Sequence, residues 1–114
     1  MKVISLNSVE KKKVEMDGAE KAWKQMPLSS ADGAPVYSYR VFTIEPGGHT
    51  PYHSHPFEHM NYIIEGKGAL VINNKEIPVK AGDFALVDPD EKHQYRNTGK
   101  EPFIMICGVL KEYE

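Results

Sequence analysis

Four of the five histidines in this chain follow one pattern: His53, His55 and His59 lie close together, and His93 follows a short way downstream. The first three belong to the run Gly47-Gly48-His49-Thr50-Pro51-Tyr52-His53-Ser54-His55-Pro56-Phe57-Glu58-His59. In a strand, residues i and i+2 share a face and lie roughly 6.5 Å apart, so His53 and His55 are expected to aim at one ion. His59, beyond the break at Pro56, would reach it from the neighbouring strand. Histidine is also common on surfaces, and a lone His-x-His is weak evidence for a ligand pair. The spacing of His55 and His59 would suit a helix-borne zinc pair, but Pro51 and Pro56 argue against a helix. Three clustered histidines with a fourth in a β-rich chain point to a divalent metal.

The elements that must position them read as short strands. Glycine and proline punctuate the chain at the rhythm of an all-β sandwich or barrel. Apolar and β-branched runs at residues 36–44, 61–65, 69–72, 76–79, 84–87, 93–97 and 103–107 are expected strands. The first should end at Pro46-Gly47-Gly48, and Asn73-Asn74 signals a type I′ hairpin. Upstream, Asp17-Gly18 interrupts a charged stretch, and a strand is expected around Ala22 to Met26, with Trp23 as a packing or dimer-contact residue. Residues 1–30 are expected to supply edge strands or a dimer arm.

Composition narrows the function classes. At 114 residues the chain suits one domain. The single cysteine, Cys107, makes no internal disulfide, so no oxidising compartment is implied. The first residues lack the pattern of a signal peptide, and no apolar run approaches the ~20 residues of a membrane span. A soluble cytoplasmic protein without a membrane partner is expected. A net charge of −2 provides no field for nucleic acid.

Taken with the second stretch that begins at Gly82, the chain resembles the cupin superfamily. The first cupin motif is matched by Gly47, His53, His55, position 59 and Gly66, and the second by Gly82, His93 and Asn97, over about residues 36 to 108. Two departures stand out. Position 59 carries His59 where the familiar motif places glutamate, so the resemblance points to a four-histidine subgroup, with Glu58 one position off. The second motif's proline and glycine are replaced by Asp88 and Asp90, residues that tolerate turn geometry. The resemblance implies an all-β, double-stranded β-helix (jelly-roll) cupin barrel, with one manganese, iron, nickel, copper or zinc ion on His53, His55, His59 and His93.

Four neutral imidazoles leave the ion's charge uncompensated, which favours an anionic oxygen or an activated water. By alternation, Asn61 and Ile63 share the parity of His59, Tyr95 and Asn97 that of His93, and Phe103 and Met105 that of Cys107. One of Tyr39 and Arg40 should face inward, and Arg40 would anchor an anion. Candidates for catalysis are Tyr95, Cys107, Glu58 and Arg40; His49 is expected at the rim. Resemblance to quercetin dioxygenase-like cupins suggests a small metal-dependent oxygenase acting on an organic anion. A non-redox isomerase, lyase or decarboxylase is one alternative, and a small-ligand binding or sensor module another. A homodimer is expected, pairing through the N-terminal strands.

Overall fold

The computed structural model describes residues 1–114 and is built from strands and short 3-10 turns. The strands are β1 (Lys12–Lys13), β2 (Glu20–Leu28), β3 (Tyr37–His49), β4 (His59–Glu65), β5 (Lys67–Ile72), β6 (Lys75–Lys80), β7 (Phe84–Val87), β8 (His93–Asn97) and β9 (Phe103–Leu110). They form one curled sheet in the order β6-β5-β8-β3-β9-β4-β7, with β2 added along β3 and β1 along β2. Every pairing is antiparallel. This is the all-β jelly-roll barrel that the motifs implied. No helix is long and apolar enough to cross a membrane.

The expected strands form, but β2 and β3 are longer than the sequence suggests. β3 does not stop at Pro46-Gly47-Gly48; it continues to His49, which pairs with both Glu20 and Arg96. Proline is tolerated because residues 45–48 bulge opposite Lys21, where the register jumps between Glu20 and Ala22 and no ladder bond is required of Pro46. Lys21 itself takes a left-handed φ of 52° at this bulge. A Cβ on Gly48 would meet the Glu20 carbonyl oxygen at 2.6 Å, so only glycine lets the two strands approach. The hairpin at Asn73 and Asn74 forms with φ of 51° and 64°, the double positive φ of a type I′ turn.

Residues 1–30 lie along their own sheet: β2 pairs with β3 over most of its length, and Gln25 Nε2 donates to the carbonyls of Leu6 and Val9. The N-terminal segment therefore covers an edge of its own barrel.

Period-2 alternation fills the interior. Ala22, Ile44, Ile63, Leu70, Val79, Val87, Tyr95, Phe103 and Met105 form one buried cluster. Burying a side chain such as Phe103 or Ile63 fully stabilises the fold by about 1.5–3 kcal/mol. Continuing along the same inward faces, β4 passes from Ile63 through Asn61 to His59 and β9 from Met105 to Cys107. β3 likewise passes from Ile44 through Phe42 to Arg40. One end of the barrel is thus apolar and the other gathers Arg40, His59 and Cys107.

The motif glycine Gly66 joins β4 to β5 at φ 81°, and a Cβ there would lie 2.2 Å from the Pro102 carbonyl oxygen. Gly66→Ala should therefore cost on the order of 2–4 kcal/mol, read as a lowered urea midpoint at unchanged slope.

Candidate metal centre

His53 and His55 do not sit on a strand as alternation suggested, whereas His59 opens β4 and His93 opens β8. Residues 50–58 form a loop between β3 and β4, in which His53 makes an isolated bridge to His93. The bridge is reciprocal: His53 N donates to His93 O at 3.1 Å and His93 N to His53 O at 2.9 Å. Thr50 ties the same loop to β8, its N donating to Tyr95 O and its Oγ1 accepting from Tyr95 N, both at 2.9 Å. The second-motif turn completes the clamp, because Asp90 N donates to His55 O at 2.7 Å. Asp90 adopts φ 65°, so aspartate takes up the left-handed turn that the motif assigns to glycine. Convergence comes from these loop-to-strand bonds rather than from a shared strand face.

Ligand atoms of His53, His55 and His93 all lie within 4.8 Å of one another. His59 stands at the edge of this set, its ring stacked on His55 at 4.3 Å and 5.2 Å from the His93 ring. Main-chain oxygens fix the tautomers. His55 Nδ1 donates to Phe57 O at 2.7 Å and His93 Nδ1 to Glu91 O at 2.8 Å, which leaves each Nε2 as a lone pair. The Nε2 of His55 is buried with no hydrogen-bond partner. A buried acceptor in that state is costly unless something electrophilic faces it, and a carbonyl-oriented imidazole is the usual form of a metal ligand. These residues fit a divalent transition ion. His49 lies outside the group, its Nδ1 directed at Thr50 O.

The electrostatics disfavour a charge on His53, His59 and His93. Burial lowers the pKa of His53 and His93, helped by neighbouring histidines. His59 is pushed down to about 2, first by burial and then by the Arg40 charge.

The other candidates are sorted by the fold. Arg40 faces inward at 7% exposure while Tyr39 points out at 51%; Arg40 Nη2 donates to Cys107 Sγ at 3.1 Å and to His59 Nε2 at 3.3 Å. Taking a guanidinium out of water costs several kcal/mol even after relaxation. The Phe42 ring, 5.2 Å from Arg40 Cζ, offsets about 0.5–2 kcal/mol of that. Cys107 is fully buried and lies across from Arg40 on β9. Tyr95 belongs to the core; its hydroxyl donates to Asn61 Oδ1 at 2.9 Å, and burial raises its pKa. That locks Tyr95 out of ready proton transfer. Glu58 is exposed and lines a groove on the outer face of the sheet together with Met60 and Leu86.

The sequence reading missed two features. One is an aromatic column, Tyr113 on Phe57 at 4.2 Å and Phe57 on His55 at 4.0 Å. The other is Lys24, on β2 opposite Phe42, whose ammonium pKa is lowered by burial and by Arg40. The parity of Lys24 with Ala22 could have placed it inside. Nothing local announces the stack.

A family model described as a cupin domain matches residues 40–109. An oxalate-binding protein from Thermotoga maritima is 39% identical over 68 residues, covering 59% of this chain and 56% of that protein. A polyketide synthase, CurC, from Streptomyces cyaneus is 28% identical over 64 residues, covering 55% and 42%. The chain thus spans about half the length of the curated relatives it matches. Among solved structures, the polyketide cyclase RemF from Streptomyces resistomycificus superposes with a TM-score of 0.91 at 24% identity, over 96% of this chain and 79% of that one. A predicted oxalate decarboxylase from Thermotoga maritima gives 0.84 at 24% identity, over 96% and 99%. At that identity the structures establish the shared barrel.

Unfolded, His59 would take up a proton near the ordinary value of 6.5, whereas folded it does so only near 2. Between those values the unfolded chain holds more protons, so stability present above pH ~6.5 is lost progressively as pH falls. Melting temperature measured against pH with chelator present should fall along that window, and H59Q should flatten the slope.

Proposed function

This chain belongs to the cupin domain family, and from that premise we propose that it is a metal-dependent cupin enzyme acting on a small organic anion. His53, His55, His59 and His93 are the proposed ligands. The observation that carries this reading is the buried, unpartnered Nε2 of His55 beside His53 and His93. When bound, the ion would supply Lewis-acid polarisation of an anionic oxygen and, if redox-active, electron transfer with dioxygen. The main-chain carbonyls of Phe57 and Glu91 hold the proton of each ring on Nδ1. Arg40 adds a fixed positive charge beside His59.

An oxygenase is the preferred reaction class. Its support is the shortage of free proton carriers inside the barrel: Tyr95 is tied to Asn61, Cys107 accepts from Arg40, and Glu58 lies outside. General acid–base chemistry needs such a group within hydrogen-bond reach of substrate. A non-redox decarboxylase or a carboxylate-binding module is the second reading, favoured by the similarity to an oxalate-binding protein.

The outer face carries a groove of about 1240 Å³. Tyr37, Met60, Phe84 and Leu86, all more than 60% exposed, lie along it. An apolar patch of this kind marks an association surface, and a second copy of the chain is its proposed occupant. In this proposal the dimer pairs through this face, while the N-terminal strands lie along their own sheet.

Elemental analysis of untagged protein should find close to one transition metal per chain, abolished by His93→Ala and unchanged by His49→Ala. Oxygen uptake on enolisable carboxylates should accompany turnover; carbon dioxide release without it would transfer the assignment to the decarboxylase. Light scattering should give a dimer, which Phe84→Glu combined with Leu86→Lys converts to a monomer.

A further inference from the structure

Arg40 is a buried cation without an anion. None of the ion pairs in the structure includes it, and its exposure is 7%. Its contacts are a thiol and an imidazole, both reached from Nη2, and the Phe42 ring beneath. Its Nε is buried and has no partner. A guanidinium offers five N–H donors in a planar fork matched to a carboxylate, and most of that fork is unused here. The half-buried Lys24 places a second positive charge nearby, and the Glu114 carboxylate near Lys24 is held by Ser30 and Ser38.

The same guanidinium holds the lone pair of His59. Arg40 has no acceptor, so in the 3.3 Å contact His59 Nε2 must accept. His53, His55 and His93 already gather their ligand atoms, while His59 stays outside that set. Arg40 and an ion therefore compete for one nitrogen.

We propose that Arg40 is the specificity-determining residue of this centre. It takes one oxygen of a small carboxylate at the edge of the histidine cluster and, by turning its fork to that anion, frees His59 Nε2 as a ligand. Metal and carboxylate then bind with positive linkage, each raising the affinity for the other by the same factor. The inference rests on the metal-dependent reading above and names what that site selects: planar monoanions that span a guanidinium and a cation, over neutral isosteres.

Zinc affinity, measured by competition with a chelating dye, provides the test, with acetate compared with acetamide at matched ionic strength. Wild-type protein should bind zinc about fivefold or more tightly in acetate. Arg40→Met should abolish that ratio and bind zinc more tightly than wild type in acetamide, because His59 is no longer engaged. A merely structural role for Arg40 would weaken zinc binding in both buffers. Arg40→Lys should keep part of the acetate effect, as a point charge without the fork. Equal wild-type affinity in both buffers overturns the inference and leaves the metal centre standing, as does an acetate effect that survives Arg40→Met. Absence of zinc binding in either buffer removes the metal centre and the inference together. If Arg40→Met does not fold, judged by circular dichroism, Arg40→Lys takes its place, and an acetate effect undiminished in Arg40→Lys overturns the inference.

Discussion

The constraint on which this molecule turns is the packing of neutral imidazoles and one permanent cation at the end of a barrel whose other end is apolar. Burial and neighbouring histidines disfavour a charge on His53, His59 and His93, and the guanidinium of Arg40 adds to that pressure on His59. The arrangement suits electrophiles that enter from solution. It suits protons poorly, because charging any ring would place a second or third positive charge within a few ångströms in a poorly screened interior.

The scaffold meets this constraint through hydrogen bonds rather than through strand geometry. A loop carrying two of the rings is laced to β8 at Thr50 and His53, and fastened again by the turn at Asp90. Main-chain carbonyls, which neither titrate nor change with side-chain substitution, then orient His55 and His93. The precision of the centre is thus written into backbone bonds, and the rings are held before any ligand arrives.

Much of the architecture was legible because strand alternation has a rigid period. The parity of His59 with Asn61 and Ile63, of His93 with Tyr95 and Asn97, and of Cys107 with Met105 follows from the pleat alone, and each of these residues lies inside. The paired motifs located the site for the same reason. What escaped reading depended on contacts remote in sequence. The bulge that carries β3 past Pro46 is set by Lys21 on the adjacent strand. The inward position of Arg40 could be narrowed only to one of two neighbours, since its partners Cys107 and His59 lie on other strands. The non-strand path of residues 50–58 reflects Pro51 and Pro56, which break the ladder that alternation assumes.

The stacked rings of Tyr113, Phe57, His55 and His59 give the 3-10 turn Lys111–Tyr113 an unusual standing. Exposed turns ordinarily accept substitution freely. Here a change at Tyr113 reaches the His55 ring through a single intervening aromatic. Selection acting on that turn would therefore be felt at the histidine cluster, and variation there should be narrower than its surface position suggests.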